Sequence, residues 1–208
     1  MLRHDSSQQI AALYTVGVAI LATVAALPLA KIFGLLGVNG GTPISELLIA
    51  MVLMWIYPER SGRAWSFRLV AVLIAGGALM GISWIITARM IDYAVFPKPG
   101  QFPSVAIWLG FLTAVVTAPI YEEKVVRQLL LDGASSLTNF WVGALVVSVL
   151  FGLAHNGTML SAFIFSMALC WSISRFGLNT YQRAIIHGVS NLVNMSWFFT
   201  QGFGGLLT

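Results

Sequence analysis

Charge and cysteine are what this chain has least of. Only 9% of its 208 residues are charged, while 58% are hydrophobic, against roughly a quarter charged in soluble domains. That leaves too little polar surface to cover a globule in water, which excludes a soluble enzyme or adaptor and points to an integral membrane protein. The single cysteine, Cys170, lies inside an apolar run. It excludes an internal disulfide framework and a CxxC metal or redox site, and fits a small buried or lipid-facing residue. No HExxH zinc-peptidase signature occurs. The net charge is +4, but there is no basic helix and no basic run interleaved with aromatics. The excess of Lys and Arg therefore fits an anionic lipid surface and not nucleic acid.

What the chain does have is a succession of apolar runs. Crossing ~30 Å of hydrocarbon at 1.5 Å per residue takes about 20 apolar residues. That rule predicts an all-α, polytopic membrane helix bundle of six to seven transmembrane helices: about 10–36, 44–57, 69–88, 104–131, 141–155, 159–175 and 184–199. With no repeat or low-complexity segment, residues 1–208 are expected to form a single transmembrane domain. Arg3 precedes the first run, but that run exceeds the ~7–15 apolar residues of a signal peptide and reads as a membrane helix, kinked at Pro28. Gly76, Gly77 and Gly81 suit close helix packing. Glu59, Arg60, Arg63 and Arg68 make the most charged loop, which the positive-inside rule places in the cytoplasm together with the N-terminus. Pro97, Pro99, Gly100 and Pro103 break the chain on the outer side, where Asp92 and Lys98 read as a solvated loop. Arg175 and Arg183 bracket a second cytoplasmic loop. Trp65, Trp84, Trp108, Trp141 and Trp197 read as interfacial anchors or packing residues.

Once the loop charges are set aside, the ionisable groups left at membrane depth are Glu122, Glu123, Arg127, His155 and His187. Such groups are costly there and by default mark a functional site. Two adjacent glutamates also stand out in a chain with only seven acidic residues. Successive helical residues point about 100° apart, while residues four apart share a face. Glu123 and Arg127 are thus an expected ion pair, and Glu122 points elsewhere. Phe151 and His155 share a face, as do His187 and Asn191, with Asn194 one turn further on. Taken singly, each has a blander reading: a charged helix end, a packing histidine, an interhelical asparagine. Counting the helical rise puts Glu122 ~13 Å in from Leu131, His155 ~21 Å in from Trp141 and Asn191 ~10–12 Å in from Arg183. Tilted helices would let these groups meet in one cavity.

Glu122-Glu123-x-x-x-Arg127, Phe151-x-x-x-His155 and His187-x-x-x-Asn191, in this order on successive membrane helices, resemble the three motifs of the CAAX-protease and bacteriocin-processing (CPBP/Abi) family. These are glutamate-dependent intramembrane proteases related to the type 2 CAAX prenyl proteases. The resemblance covers about 104–191, in a motif core of about 104–200. It implies an endopeptidase that hydrolyses a peptide bond near the C-terminal or membrane-embedded part of a lipidated or membrane-anchored protein substrate, in a bacterial or archaeal plasma membrane. In that scheme Glu122 takes a proton from water and His155 holds the water or relays the proton. His187 and Asn191 donate hydrogen bonds to the oxyanion, while Glu123, Arg127 and Phe151 support the site, and no cofactor is needed. Val126 and Gln128 stand where the commoner pattern has Phe and Gly, which bears on substrate preference more than on catalysis. Two other classes stay open. Glu, His and His are permissible zinc ligands, so a zinc-dependent membrane peptidase is one. A non-catalytic immunity protein or a small proton-coupled transporter is the other.

Overall fold

The computed structural model describes residues 6–59, 61–92 and 104–204, and every regular element among them is a helix. Arg3, Arg60, Pro97, Lys98, Pro99, Gly100, Pro103 and the last residues of the tail lie outside the described residues. In chain order the helices are α1 (Ser6–Leu35), α2 (Gly41–Ile56), α3 (Phe67–Met90), α4 (Val105–Leu137), α5 (Phe140–Ala154), α6 (Met159–Phe176) and α7 (Thr180–Gly204). Four of them, α1, α3, α4 and α6, are long and apolar enough to cross a membrane, while α2 and α5 are shorter apolar helices. Large apolar side chains such as Leu21, Leu27, Trp55, Val72 and Trp108 stand exposed on the outside of the bundle, as a lipid-facing surface requires.

Helix ends follow capping chemistry. Ser66 accepts the Leu69 N–H at 3.1 Å, and Asn139 accepts those of Trp141 and Val142 at 3.0 and 3.1 Å. Asn179 and Gln182 form a reciprocal capping box at the start of α7, with distances of 3.0 and 3.2 Å. Asp92 corrects the expectation of a solvated loop. Its carboxylate accepts the Leu160 and Ser161 N–H groups and the Ser161 hydroxyl, capping α6 from the end of α3. Burial pushes its pKa up, but these three hydrogen bonds together hold it below the ordinary carboxylate value. A depressed folded-state pKa means the stabilisation is present at neutral pH and is lost as pH falls below ~4. Asp92→Ala should lower stability by about 1 kcal/mol at neutral pH, read as thermal unfolding in detergent, with the difference from wild type shrinking toward acid pH.

Packing sets where α7 sits. A Cβ on Gly77 or Gly81 of α3 would fall 2.6 Å from the Ile186 carbonyl oxygen or 2.8 Å from that of Ser190. These two glycines let the α7 backbone approach α3 over the turns that carry His187 and Asn191. In the same way Gly152 of α5 admits the Met159 carbonyl of α6, and Gly133 of α4 admits the Ala12 carbonyl of α1.

Helix α4 departs most from expectation. It runs past Leu131 to Leu137, so Glu122 lies roughly 22 Å from its end rather than ~13 Å. The following helix, α5, stops at Ala154, about 22 Å from its own start, and His155 is its C-terminal cap. One helix longer than expected and one short helix thus bring Glu122 and His155 to a common depth. Two π-helical turns interrupt α4, at Thr113–Thr117 and Val125–Leu130. The first has an identifiable cause in Pro119, which has no N–H to donate and crowds the carbonyl four residues back. The Ala118 N–H bonds to the Thr113 oxygen, five residues back. The Ala114 carbonyl is then left without a helical donor, because its partner at the same spacing is Pro119.

Candidate active site

The adjacent glutamates sit in different surroundings, as their 100° separation on the helix foretold. Glu123 is fully buried and ringed by donors. Its Oε1 lies 3.3 Å from Arg127 Nη1 and 3.1 Å from His187 Nδ1, and its Oε2 accepts from Arg183 Nε at 3.1 Å. Glu122 keeps 24% of its side chain exposed, and its Oε2 lies 3.7 Å from His187 Nε2. His187 is therefore suspended between the two carboxylates. Its Nδ1–H donates to Glu123, so the other ring nitrogen is turned toward Glu122. Phe165 packs edge-on against the ring, 4.8 Å between centroids.

The second motif enters through an aromatic ring. The Arg127 guanidinium lies 3.9 Å over Phe151, whose ring is 4.3 Å from that of His155 and 6.3 Å from that of His187. Both imidazoles thus flank one phenyl group that is itself pinned by the motif arginine. His155 Nδ1 donates to the Phe151 carbonyl at 2.7 Å, which fixes the tautomer and leaves Nε2 as the ring nitrogen without a proton. Trp84 of α3 closes the other side of His155 at 5.9 Å.

Asn191 has a different principal partner from the one the motif suggested. Its amide donates to the Ala114 carbonyl at 2.7 Å, the oxygen stranded by Pro119. One of its two N–H groups is therefore already engaged. Gly188, one turn earlier, leaves room for the Val115 carbonyl, which would lie 2.5 Å from a Cβ there.

Arg183 was expected at the boundary of a cytoplasmic loop. It lies instead in the first turns of α7, almost fully buried, and donates to Glu123, to the Leu178 carbonyl and to Thr180 Oγ1. The signal for it was its place three residues after Thr180 and four before His187, on the face that α7 turns inward. Lys124 is also fully buried, and its ammonium donates to the Tyr57 carbonyl at 2.5 Å, Glu59 at 2.7 Å and Gln128 at 2.8 Å. Three donors meet three acceptors. Gln128, which stands where the commoner pattern has Gly, completes this lock by accepting from Thr180 Oγ1 at 3.1 Å. Cys170 is buried against Ser148. Among the described residues no group of three or more His, Cys, Asp or Glu side chains is arranged to hold a metal ion.

An all-helical bundle with four apolar helices long enough to cross a membrane defines an integral membrane protein. Residues 104–193 match the family model described as "Type II CAAX prenyl endopeptidase Rce1-like". This segment, which includes all three motifs, is similar to that family, and the similarity supports the resemblance to the CAAX-protease and bacteriocin-processing family and points to a protease. The chain is also 28% identical over 149 residues to an "Uncharacterized 24.3 kDa protein" of Escherichia coli, covering 65% of this chain and 67% of the other. No solved structure matches.

Proposed function

We propose that this protein is an intramembrane endopeptidase in which Glu122 is the general base. The observation that carries the reading is His187, held at Nδ1 by Glu123 and turned with Nε2 toward Glu122. A water about 2.8 Å from both Glu122 Oε2 and His187 Nε2 would donate to the carboxylate and accept from the Nε2–H of a His187 imidazolium. Glu122 takes the proton as the water oxygen attacks the scissile carbonyl, and returns it to the leaving amine. That imidazolium, its Nε2 proton drawn from solvent before the attack and its charge balanced by Glu123, donates to the oxyanion, and the second N–H of Asn191 is the other donor. Preorganised donors of this kind contribute ~3–4 kcal/mol each to the transition state. His155 Nε2 holds the water or relays the proton. Arg127 and Phe151 aim both histidines and do not touch the reacting atoms.

In this reading all seven helices belong to the membrane domain, with the N-terminus cytoplasmic, in a bacterial or archaeal plasma membrane. The substrate is a lipidated or membrane-anchored protein cut near its C-terminal or membrane-embedded part. An apolar groove of about 410 Å³ between α4 and α7, lined by Val115, Val116, Ile120, Ile185, Gly188 and Leu192, supports that choice, since it borders the α7 turns bearing His187 and Asn191.

The test is cleavage by the purified protein in detergent of a quenched fluorogenic peptide ending in a prenylated cysteine and three further residues, beside an unprenylated hydrophobic peptide. A comparison of membrane-protein C-termini in cells with and without active protein runs in parallel. Cleavage of either peptide, or new C-termini, is the expected result, and absence of both would sink the reading. Activity should survive exhaustive chelation; loss that zinc restores would move the assignment to a zinc peptidase.

A further inference from the structure

Glu46 lies on α2, outside residues 104–193, and belongs to none of the three motifs. It is the only charged residue of an apolar helix and only half-buried. It takes part in none of the ion pairs among the described residues. A carboxylate in such a place is costly unless it has a task. Its Oε2 accepts a hydrogen bond of 2.8 Å from Thr117 Oγ1, across 71 positions of sequence, and its charge lies within electrostatic reach of Glu122.

That hydrogen bond is unusual for a helical threonine in this protein. Thr15, Thr23, Thr87, Thr113 and Thr138 each return their hydroxyl to the carbonyl four residues back. For Thr117 that carbonyl is Thr113, which already accepts the Ala118 N–H in the π-turn. The Thr117 hydroxyl does not join it there but leaves the helix, and Glu46 receives it. The turn weakened by Pro119 is then gripped at three points. Asn191 holds the Ala114 carbonyl, Gly188 admits the Val115 carbonyl, and Glu46 holds the Thr117 hydroxyl. The first two grips come from α7; only the third comes from α2. A π-turn that relaxed toward α-helix would change the rotation of everything after it by roughly 100° per residue gained or lost. Glu122 follows five residues later.

We propose that Glu46 is a positioning residue of the active site: by accepting the Thr117 hydroxyl it holds the π-turn of α4 at the rotation that aims Glu122 at His187. The proposal rests on the reading of Glu122 as the base. It predicts a loss in turnover without a loss in binding, because the substrate meets Glu122 and not Glu46.

The test measures kcat and KM on the prenylated peptide, together with hydrogen–deuterium exchange over residues 109–125, for Glu46→Ala, Glu46→Gln, Thr117→Val and the Glu46→Ala/Thr117→Val pair, with Glu122→Gln alongside. Glu46→Ala and Thr117→Val should each lower kcat about 10–100-fold, the scale of a misplacement near 1 Å. KM should stay within about twofold. Exchange in the turn should rise in both, and the double variant should be no worse than either single one. Glu46→Gln, whose amide oxygen still accepts the hydroxyl, should keep most of the activity and the wild-type exchange. Wild-type turnover and exchange in Glu46→Ala would overturn the proposal. So would losses that multiply in the double variant, losses that merely follow a lower unfolding temperature, or equal damage from Gln and Ala. If Glu122→Gln stays active, the peptidase mechanism fails, and the exchange data alone still decide whether Glu46 holds the turn.

Discussion

Glu122→Gln should abolish measurable peptide cleavage while leaving the protein folded. Removing a general base is expected to lower kcat by about 10²–10⁴-fold, and here Gln preserves shape while losing the capacity to take a proton. The side chain is partly exposed and has one contact with an ionisable partner, His187 at 3.7 Å. Neutralising it leaves no buried charge unpaired, so the unfolding temperature should stay within a few degrees of wild type. The same variant separates the competing classes. A non-catalytic immunity protein would keep its phenotype with Gln at 122. A proton-coupled transporter would lose a flux measurable in liposomes and would show no proteolysis in either form. Full cleavage by Glu122→Gln would remove the assignment of the base.

The parts of this site that depend on helical periodicity were legible in the sequence. Glu123 and Arg127 meet because they are four residues apart, and for the same reason Glu122 faces elsewhere. Phe151 packs against His155, as the same spacing required. What was not legible depends on contacts between distant segments. The stretch Asp132-Gly133-Ala134-Ser135-Ser136 has the composition of a helix end, yet it stays helical because Gly133 receives the backbone of α1. Asp92 had no helical pattern of its own, since the helix it caps begins 67 positions later. Arg183 looked like a boundary charge because the carboxylate that neutralises it lies 60 positions away. Pro119 was the one overlooked local signal. A proline inside a helix, three residues before Glu122, announces a stranded carbonyl and so a side chain recruited to satisfy it. Asn191, recognised for another role, is that side chain.

Glu123→Gln should unfold the protein more readily than any other single change in the site. The carboxylate compensates two fully or nearly buried guanidinium groups, Arg127 and Arg183, and orients His187 as well. Breaking a buried ion pair on one side typically costs about 3–5 kcal/mol, because the remaining charge stays desolvated without a partner. For a chain of this length that corresponds to a fall in unfolding temperature on the order of 10 °C. If the cost is that of stranded charge, a second substitution that removes one of the cations should recover part of it. Arg183→Gln added to Glu123→Gln should therefore be more stable than Glu123→Gln alone, although Arg183→Gln by itself destabilises the wild type. Activity should not recover in parallel. The His187 Nδ1–H would still face a neutral amide in place of the carboxylate that balances the imidazolium, so kcat should remain at least about tenfold below wild type even where folding is restored. A double variant less stable than both single ones would show that Glu123 acts chiefly through shape and hydrogen bonding. A double variant of normal kcat would show that the pairing of Glu123 with His187 is structural and has no part in the proton transfers.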